Sequence, residues 1–224
     1  MEFKLDWGVH ALYKLIECYE FQTVLDIGSG DGEHKRFFEY MGKTVTSVDF
    51  DKDADYTGDF MEIDFQEKYD LVWCSHVLEH QRNVGAFLEK VYSLIEDNGV
   101  LAVIVPIQRP EVILAGHVTS WSMLSLCYNL ILSGFDCSEA RMLSSYEISV
   151  IVEKKKAEVN QLFKHSVIGE DGEDPLSPLA KYFPCEVITG TELTIPGGWH
   201  WGKGYPDMPK QVTIVNKNDV HQSL

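Results

Sequence analysis

The run Thr23-Val24-Leu25-Asp26-Ile27-Gly28-Ser29-Gly30-Asp31-Gly32 decides how this chain is read. A short, mostly apolar stretch, Val24 to Ile27, stops at three glycines on alternate positions, and a polar, helix-compatible segment follows. That order predicts a strand, a tight turn and a helix. Glycine reaches backbone angles that other residues resist, and it lets main-chain N–H groups approach a bound molecule that a Cβ would hold away. The turn is therefore expected to face a ligand.

Residues 1–21 carry Val9, Leu12, Tyr13, Leu15, Ile16 and Tyr19 at helical spacing. A helix from about Glu33 to Met41 closes at Gly42, and Thr44 to Val48 reads as a β-branched second strand ending in Asp49-Phe50-Asp51. A weaker third strand is expected near Asp59, and a fourth over Tyr69 to Cys74. Asn83 to Asp97 repeats its apolar residues one above another and stops at Asn98-Gly99; Val100 to Val105 is almost wholly apolar, as a strand covered on both faces should be. A helix from about Ser120 to Ser133 and a pair of strands, Phe135 to Leu143 and Tyr146 to Val152, complete the pattern. Such alternation calls for an α/β, doubly wound, mostly parallel sheet. Trp7 and Trp121 are expected as core or helix anchors. After Lys156 the composition shifts to proline and acidic residues, so residues 1–156 read as one domain and 157–224 as an appendage serving as lid, substrate contact or dimer contact.

The chain has 224 residues, 45% of them hydrophobic, and no apolar run approaches the ~18 residues of a membrane span. Its start lacks the layout of a signal peptide, which places the expectation in the cytoplasm. Five scattered cysteines without a Cys-x-x-Cys spacing suggest reduced thiols and no thiolate metal site. A formal net charge of −16 argues against nucleic acid, because phosphates are bound by Lys and Arg. A small-molecule or glycan substrate is expected, with no membrane partner and with a homodimer as one use of the tail.

Asp49 ends the second strand roughly 20 residues after Gly28, where an acid can take the hydroxyls of a ribose. A dinucleotide fingerprint needs glycine at the sixth position, which here is Glu33. The pattern instead resembles the class I S-adenosylmethionine-dependent methyltransferases, in particular the small domains of types 11 and 23. The matching pieces are residues 24–32, Val-Asp-Phe-Asp (48–51), Gly-Asp-Phe (58–60), Tyr-Asp-Leu-Val-Trp-Cys-Ser-His-Val-Leu-Glu-His (69–80) and Asn-Gly-Val-Leu-Ala-Val-Ile-Val-Pro (98–106), in the family's order. The resemblance implies a seven-stranded Rossmann-like sheet with its last strand antiparallel, and S-adenosylmethionine as cofactor. It implies that Asp26, Gly28, Ser29, Gly30 and Gly32 surround the methionine half, that Asp49 holds the ribose, and that Phe50 flanks the adenine. Asp59 and Phe60 would meet the adenine edge, and Cys74, Ser75 and His76 would close the amino-acid end. A sulfonium carries no phosphate, so carboxylates at 26, 49 and 59 suit it, whereas a pyrophosphate would be repelled.

His76-Val-Leu-Glu79-His80 shares the spelling of a zinc-protease motif, but that chemistry needs both histidines on one helix and this segment starts at a strand end. No metal is expected from it. His80 either accepts a proton from a substrate hydroxyl or amine or is a hydrogen-bonded helix-entry residue. His117, at the ligand side of the sheet, is either a second base or a loop stabiliser. Arg109 would hold an anionic group or pair with Glu111. Trp199, His200, Trp201 and Tyr205 form an aromatic loop that would stack on a substrate or fill an interface. The expected activity is methyl transfer to a small molecule or saccharide, most readily at oxygen. The other reading is a protein that keeps the fold and binds the cofactor without chemistry.

Overall fold

A computed structural model describes residues 3–50, 53–108, 112–159, 177–184 and 198–199. Helix α1 (Val9–Cys18) precedes strand β1 (Thr23–Ile27), which leads through the glycine turn into α2 (Glu33–Tyr40) and β2 (Thr44–Asp49). After the two-residue β3 (Tyr56–Thr57) come β4 (Tyr69–Ser75), a 3-10 turn at Leu78–His80, α3 (Val84–Leu94) and β5 (Ile95–Pro106). Helix α4 (Met123–Leu132) is followed by β6 (Arg141–Ser144), β7 (Glu147–Glu153), a 3-10 turn at Ser177–Tyr182 and β8 (Gly198–Trp199). The strands lie in the order β3-β2-β1-β4-β5-β7-β6-β8. The first five pair in parallel, while β7 runs antiparallel to both β5 and β6. This is the expected seven-stranded mixed sheet, with β8 added antiparallel to β6.

Side chains alternate across each strand, so each strand feeds two apolar layers. Leu25, Ile27, Val72, Leu101, Val103 and Val150 join α3 and α4 on one face. Val24, Leu71, Trp73, Ala102, Ile104 and Ile151 join α1 and α2 on the other. The order of strands reverses between β1 and β4, and the ligand crevice of an open α/β sheet lies there, beyond the carboxyl ends.

Several boundaries differ from the sequence expectation. Helix α3 ends at Leu94 and not at Asp97, because Ile95 is fully buried in the sheet and pairs with Tyr69 before the ladder resumes at Val100. Strand β6 begins at Arg141 instead of Phe135, which makes only an isolated bridge to Lys156. The third strand stops at Thr57, short of Asp59. Trp121 is buried, as an anchor should be, but Trp7 is 39% exposed. Within the tail, Leu179, Tyr182 and Phe183 enter the α3/α4 core, and the Tyr182 hydroxyl accepts the Glu158 N–H at 2.8 Å. Among the described residues no helix is long and apolar enough to cross a membrane. Cys18, Cys74, Cys127 and Cys137 are free thiols. Arg109, Glu111, Cys185, His200, Trp201 and Tyr205 lie outside the described residues.

Candidate active site

The glycine turn sits where β1, β2 and β4 end. Gly28, Gly30 and Gly32 all adopt positive φ, at 72°, 53° and 76°. The Gly28 and Ser29 N–H groups donate to the Val48 carbonyl at 2.8 and 3.2 Å, and the Gly30 N–H donates to Asp49 Oδ2 at 2.9 Å. The turn and the β2 terminus therefore form one rigid unit. A Cβ on Gly28 would stand 2.2 Å from Val77 Cγ2, which fixes that position as glycine for space as well as for φ. Gly30, by contrast, faces nothing within 4 Å, leaving its backbone open to an approaching molecule.

A cleft of about 380 Å³ opens beside this unit, lined among others by Gly28, Asp49, Phe50, Asp59, Met61 and His80. Phe50 is 77% exposed at its wall. Asp59 accepts the Met61 N–H through Oδ1 at 2.8 Å, holding the loop after β3. The neighbouring Phe60 turns inward. Its ring packs on Phe65 and Phe87, and Lys90 donates to the carbonyls of Phe60, Met61 and Ile63 beneath it. Phe60 thus braces the loop from below while its backbone borders the cleft.

On the α1/α2 face the β1 and β4 ends carry a group of buried polar atoms. Asp26 is 1% exposed, and its Oδ2 has no hydrogen-bond partner, nor have Trp73 Nε1 and Ser75 Oγ. Burial, reinforced by the charge of Asp49, pushes the Asp26 carboxyl up to about 7. Cys74, one residue before Ser75, points to the opposite face into the apolar core, where burial drives its thiol far above its usual range.

His76 begins the loop after β4 with a positive φ of 57°. Its ring lies between two buried acids, with Nδ1 3.4 Å from Glu79 Oε1 and Nε2 3.2 Å from Glu147 Oε2, and it packs against Trp7 at 4.4 Å. Burial disfavours the imidazolium, but the hydrogen bonds and charges of Glu147 and Glu79 outweigh it and raise His76 to about 9. Glu147 also accepts the Gly8 N–H through both oxygens, at 3.0 and 3.2 Å. These contacts bring the segment before α1 over the crevice. Glu147 and Gly8 were not marked by any sequence pattern, and Trp7 was expected only as a core or helix anchor. The acid that opens the apolar strand β7 is the signal that was available.

The 3-10 turn presents a second polar group. His80 Nδ1 lies 2.9 Å from the Gly116 carbonyl, while Nε2 faces Glu79 Oε1 at 3.8 Å. The His117 ring meets that of His80 edge-on at 4.9 Å. The loop carrying His117 is clamped to the turn, since Val118 and Thr119 N–H groups donate to the Glu79 carbonyl at 2.8 and 3.1 Å. The structure therefore brings together His80, which lines the cleft, and His117, distant from it in sequence.

The sequence profile of a family described as "methyltransferase domain" matches residues 10–137, more than half of the chain. The chain belongs to this methyltransferase domain family. S-adenosylmethionine is the family's methyl donor. The methyltransferase domain is 32% identical over 106 residues to a ubiquinone biosynthesis O-methyltransferase of Rhodopseudomonas palustris strain TIE-1, covering 40% of this chain and 42% of the relative. The chain thus spans under half the length of the curated relative it matches. Its fold is that of the Burkholderia thailandensis 1,6-didemethyltoxoflavin-N1-methyltransferase, a structure with bound 1,6-didemethyltoxoflavin and S-adenosylhomocysteine. The TM-score is 0.55 at 16% identity, over 66% of this chain and 77% of that one. An S-adenosylmethionine-dependent methyltransferase from Archaeoglobus fulgidus has a TM-score of 0.51 at 17% identity, over 66% of this chain and 95% of that one.

The residues of this methyltransferase domain fit the donor. A buried carboxylate oxygen without a donor at Asp26 suits a cationic ligand, and the open side of Gly30 admits its close approach. Acids at 49 and 59 along the cleft leave no place for a phosphate but accept hydroxyl and amino donors.

Proposed function

We propose that this chain transfers a methyl group from S-adenosylmethionine to a hydroxyl oxygen of a small-molecule or saccharide acceptor. The observation that carries this reading is that one cleft holds Asp49 and Asp59 together with His80. When bound, the donor supplies an electrophilic methyl: the acceptor oxygen loses its proton and takes the methyl carbon, and the C–S bond pair returns to sulfur as a thioether. Such a displacement asks the protein chiefly to align the partners and exclude water.

Asp49, pinned by the Gly30 N–H, is placed to receive the ribose hydroxyls, with Phe50 against the base and Asp59 at its edge. Asp26 and the unpartnered Ser75 hydroxyl meet the amino-acid end, and His76, braced by Glu79 and Glu147, holds that end shut under Trp7. Gly28, Ser29 and Gly32 shape the turn, and Cys74 supports it from the core. His80 and His117 stand where the acceptor's proton leaves. Oxygen as the acceptor atom is supported by the name of the Rhodopseudomonas relative.

The test is release of S-adenosylhomocysteine from S-adenosylmethionine with a panel of phenols, catechols and sugars. Acceptor-dependent release with a methyl ether as product is expected. Donor binding with no turnover on any acceptor pool, or methylation confined to amines, would contradict the proposal.

A further inference from the structure

We infer that Glu79, His80 and His117 form a binding site for one divalent first-row transition cation, placed to hold the acceptor hydroxyl; the role at the acceptor rests on the methyltransferase reading above. Each of the three offers one ligand atom, and these atoms lie within 4.8 Å of one another. Bonds of about 2.0–2.2 Å to such an ion would bring them a little closer together, within the reach of small side-chain rotations.

Three features show a built site and not a chance gathering. Glu79 is 1% exposed; its Oε1 pairs with His76 Nδ1 at 3.4 Å, while its Oε2 has no hydrogen-bond donor. A buried carboxylate oxygen without a partner is costly, so something must repay it. His117 Nδ1 is likewise buried without a partner. Finally, His80 Nδ1 faces the Gly116 carbonyl at 2.9 Å, and a carbonyl only accepts. In the neutral ring that puts the proton on Nδ1 and leaves Nε2, 3.8 Å from Glu79 Oε1, as the ligand atom. That is the arrangement by which a backbone carbonyl fixes the tautomer of a metal-binding histidine.

Two imidazoles and one carboxylate suit zinc, cobalt or manganese, and disfavour magnesium or calcium, which take oxygen ligands. Three protein ligands leave coordination positions free. Because His80 also lines the cleft, a hydroxyl entering there can complete the sphere, and coordination lowers its pKa so that the oxygen attacks as an alkoxide or phenolate. The histidines then act through the cation, with the released proton passing to solvent. The zinc-protease spelling at residues 76–80 does not describe this set, since His76 is occupied by Glu147 and the third ligand comes from a loop 37 residues beyond His80 in the chain.

The experiment uses the full chain after chelator treatment, titrated with Co²⁺ alone and followed by visible absorption and calorimetry. One equivalent is expected to bind, to give a d–d spectrum without a thiolate charge-transfer band, and to be displaced by Zn²⁺. His117→Gln, at a half-buried position, should weaken Co²⁺ at least about tenfold with an unchanged circular dichroism spectrum, and Glu79→Gln should do the same. Absence of saturable binding, a thiolate band from exposed Cys18, or affinity unchanged in His117→Gln would overturn the site. S-adenosylhomocysteine binding is measured in parallel. Should it fail while Co²⁺ binds, the cation site stands and its role at an acceptor hydroxyl falls.

Discussion

Asp26 shows what a single residue is asked to do here. Sealed at the end of β1 with one oxygen unpartnered, its carboxyl is held up to about 7 by burial first and by Asp49 second. A carboxyl raised in the folded state contributes stability below its unfolded pKa, and that contribution is lost as pH rises toward the folded value. Removing the charge reverses the loss. Asp26→Asn should therefore gain on the parent by up to about 4 kcal/mol as pH rises from about 4 to about 7, read by urea unfolding at several pH values. A cation bound beside Asp26 favours its ionised form, so donor affinity should increase as pH rises through 7 in the parent and stay flat in the variant. Gly28→Ala tests the turn: a Cβ 2.2 Å from Val77 Cγ2 at φ 72° should cost roughly 1–3 kcal/mol and narrow the cleft. Gly28, Asp26 and Asp49 were legible because strand, turn and acid follow one another locally. Glu147 was not, because its partners Gly8 and His76 lie far from it in the chain, and only the antiparallel return of β7 brings them together.

Helices α3 and α4 are held at their N-termini by side-chain caps, Asn83 and Ser122. Helix α4 starts with a reciprocal capping box between Ser122 and Ser125, which sets where the loop carrying His117 must stop. Ser122→Ala should lower unfolding free energy by about 1 kcal/mol, measurable by denaturant titration, while leaving the cleft intact. Periodicity located α3, β4 and β5 because apolar faces repeat along them. It misplaced the α3 end and the β6 start for one reason: those boundaries are set by partners. Ile95 turns strand-like against Tyr69, and the residues after Phe135 stay out of the ladder until Arg141 meets Ile151. Neither partner is visible in a local window.

For the whole molecule, the tail matters more than composition suggested. Leu179, Tyr182 and Phe183 sit in the same core as α3 and α4, so residues 177–184 are fastened to the domain they follow. Leu179→Ala should cost about 2–5 kcal/mol, read as a fall in thermal midpoint, and a tail that only brushed the surface would leave the midpoint unmoved. A doubly wound, mostly parallel sheet was inferable from the alternation of elements, and the acids at its carboxyl edge from the family resemblance, while the order of strands came from the folded chain. The meeting of the 3-10 turn beside the cleft with the His117 loop came only from the folded chain. The proposed function requires that this crevice bind S-adenosylmethionine through the glycine turn and Asp49. Calorimetry of the purified chain with that ligand tests it most directly. One-to-one saturable binding, abolished by Asp49→Ala in a chain that still unfolds cooperatively, is the predicted result, and no binding at high micromolar ligand, or binding untouched by Asp49→Ala, would contradict it.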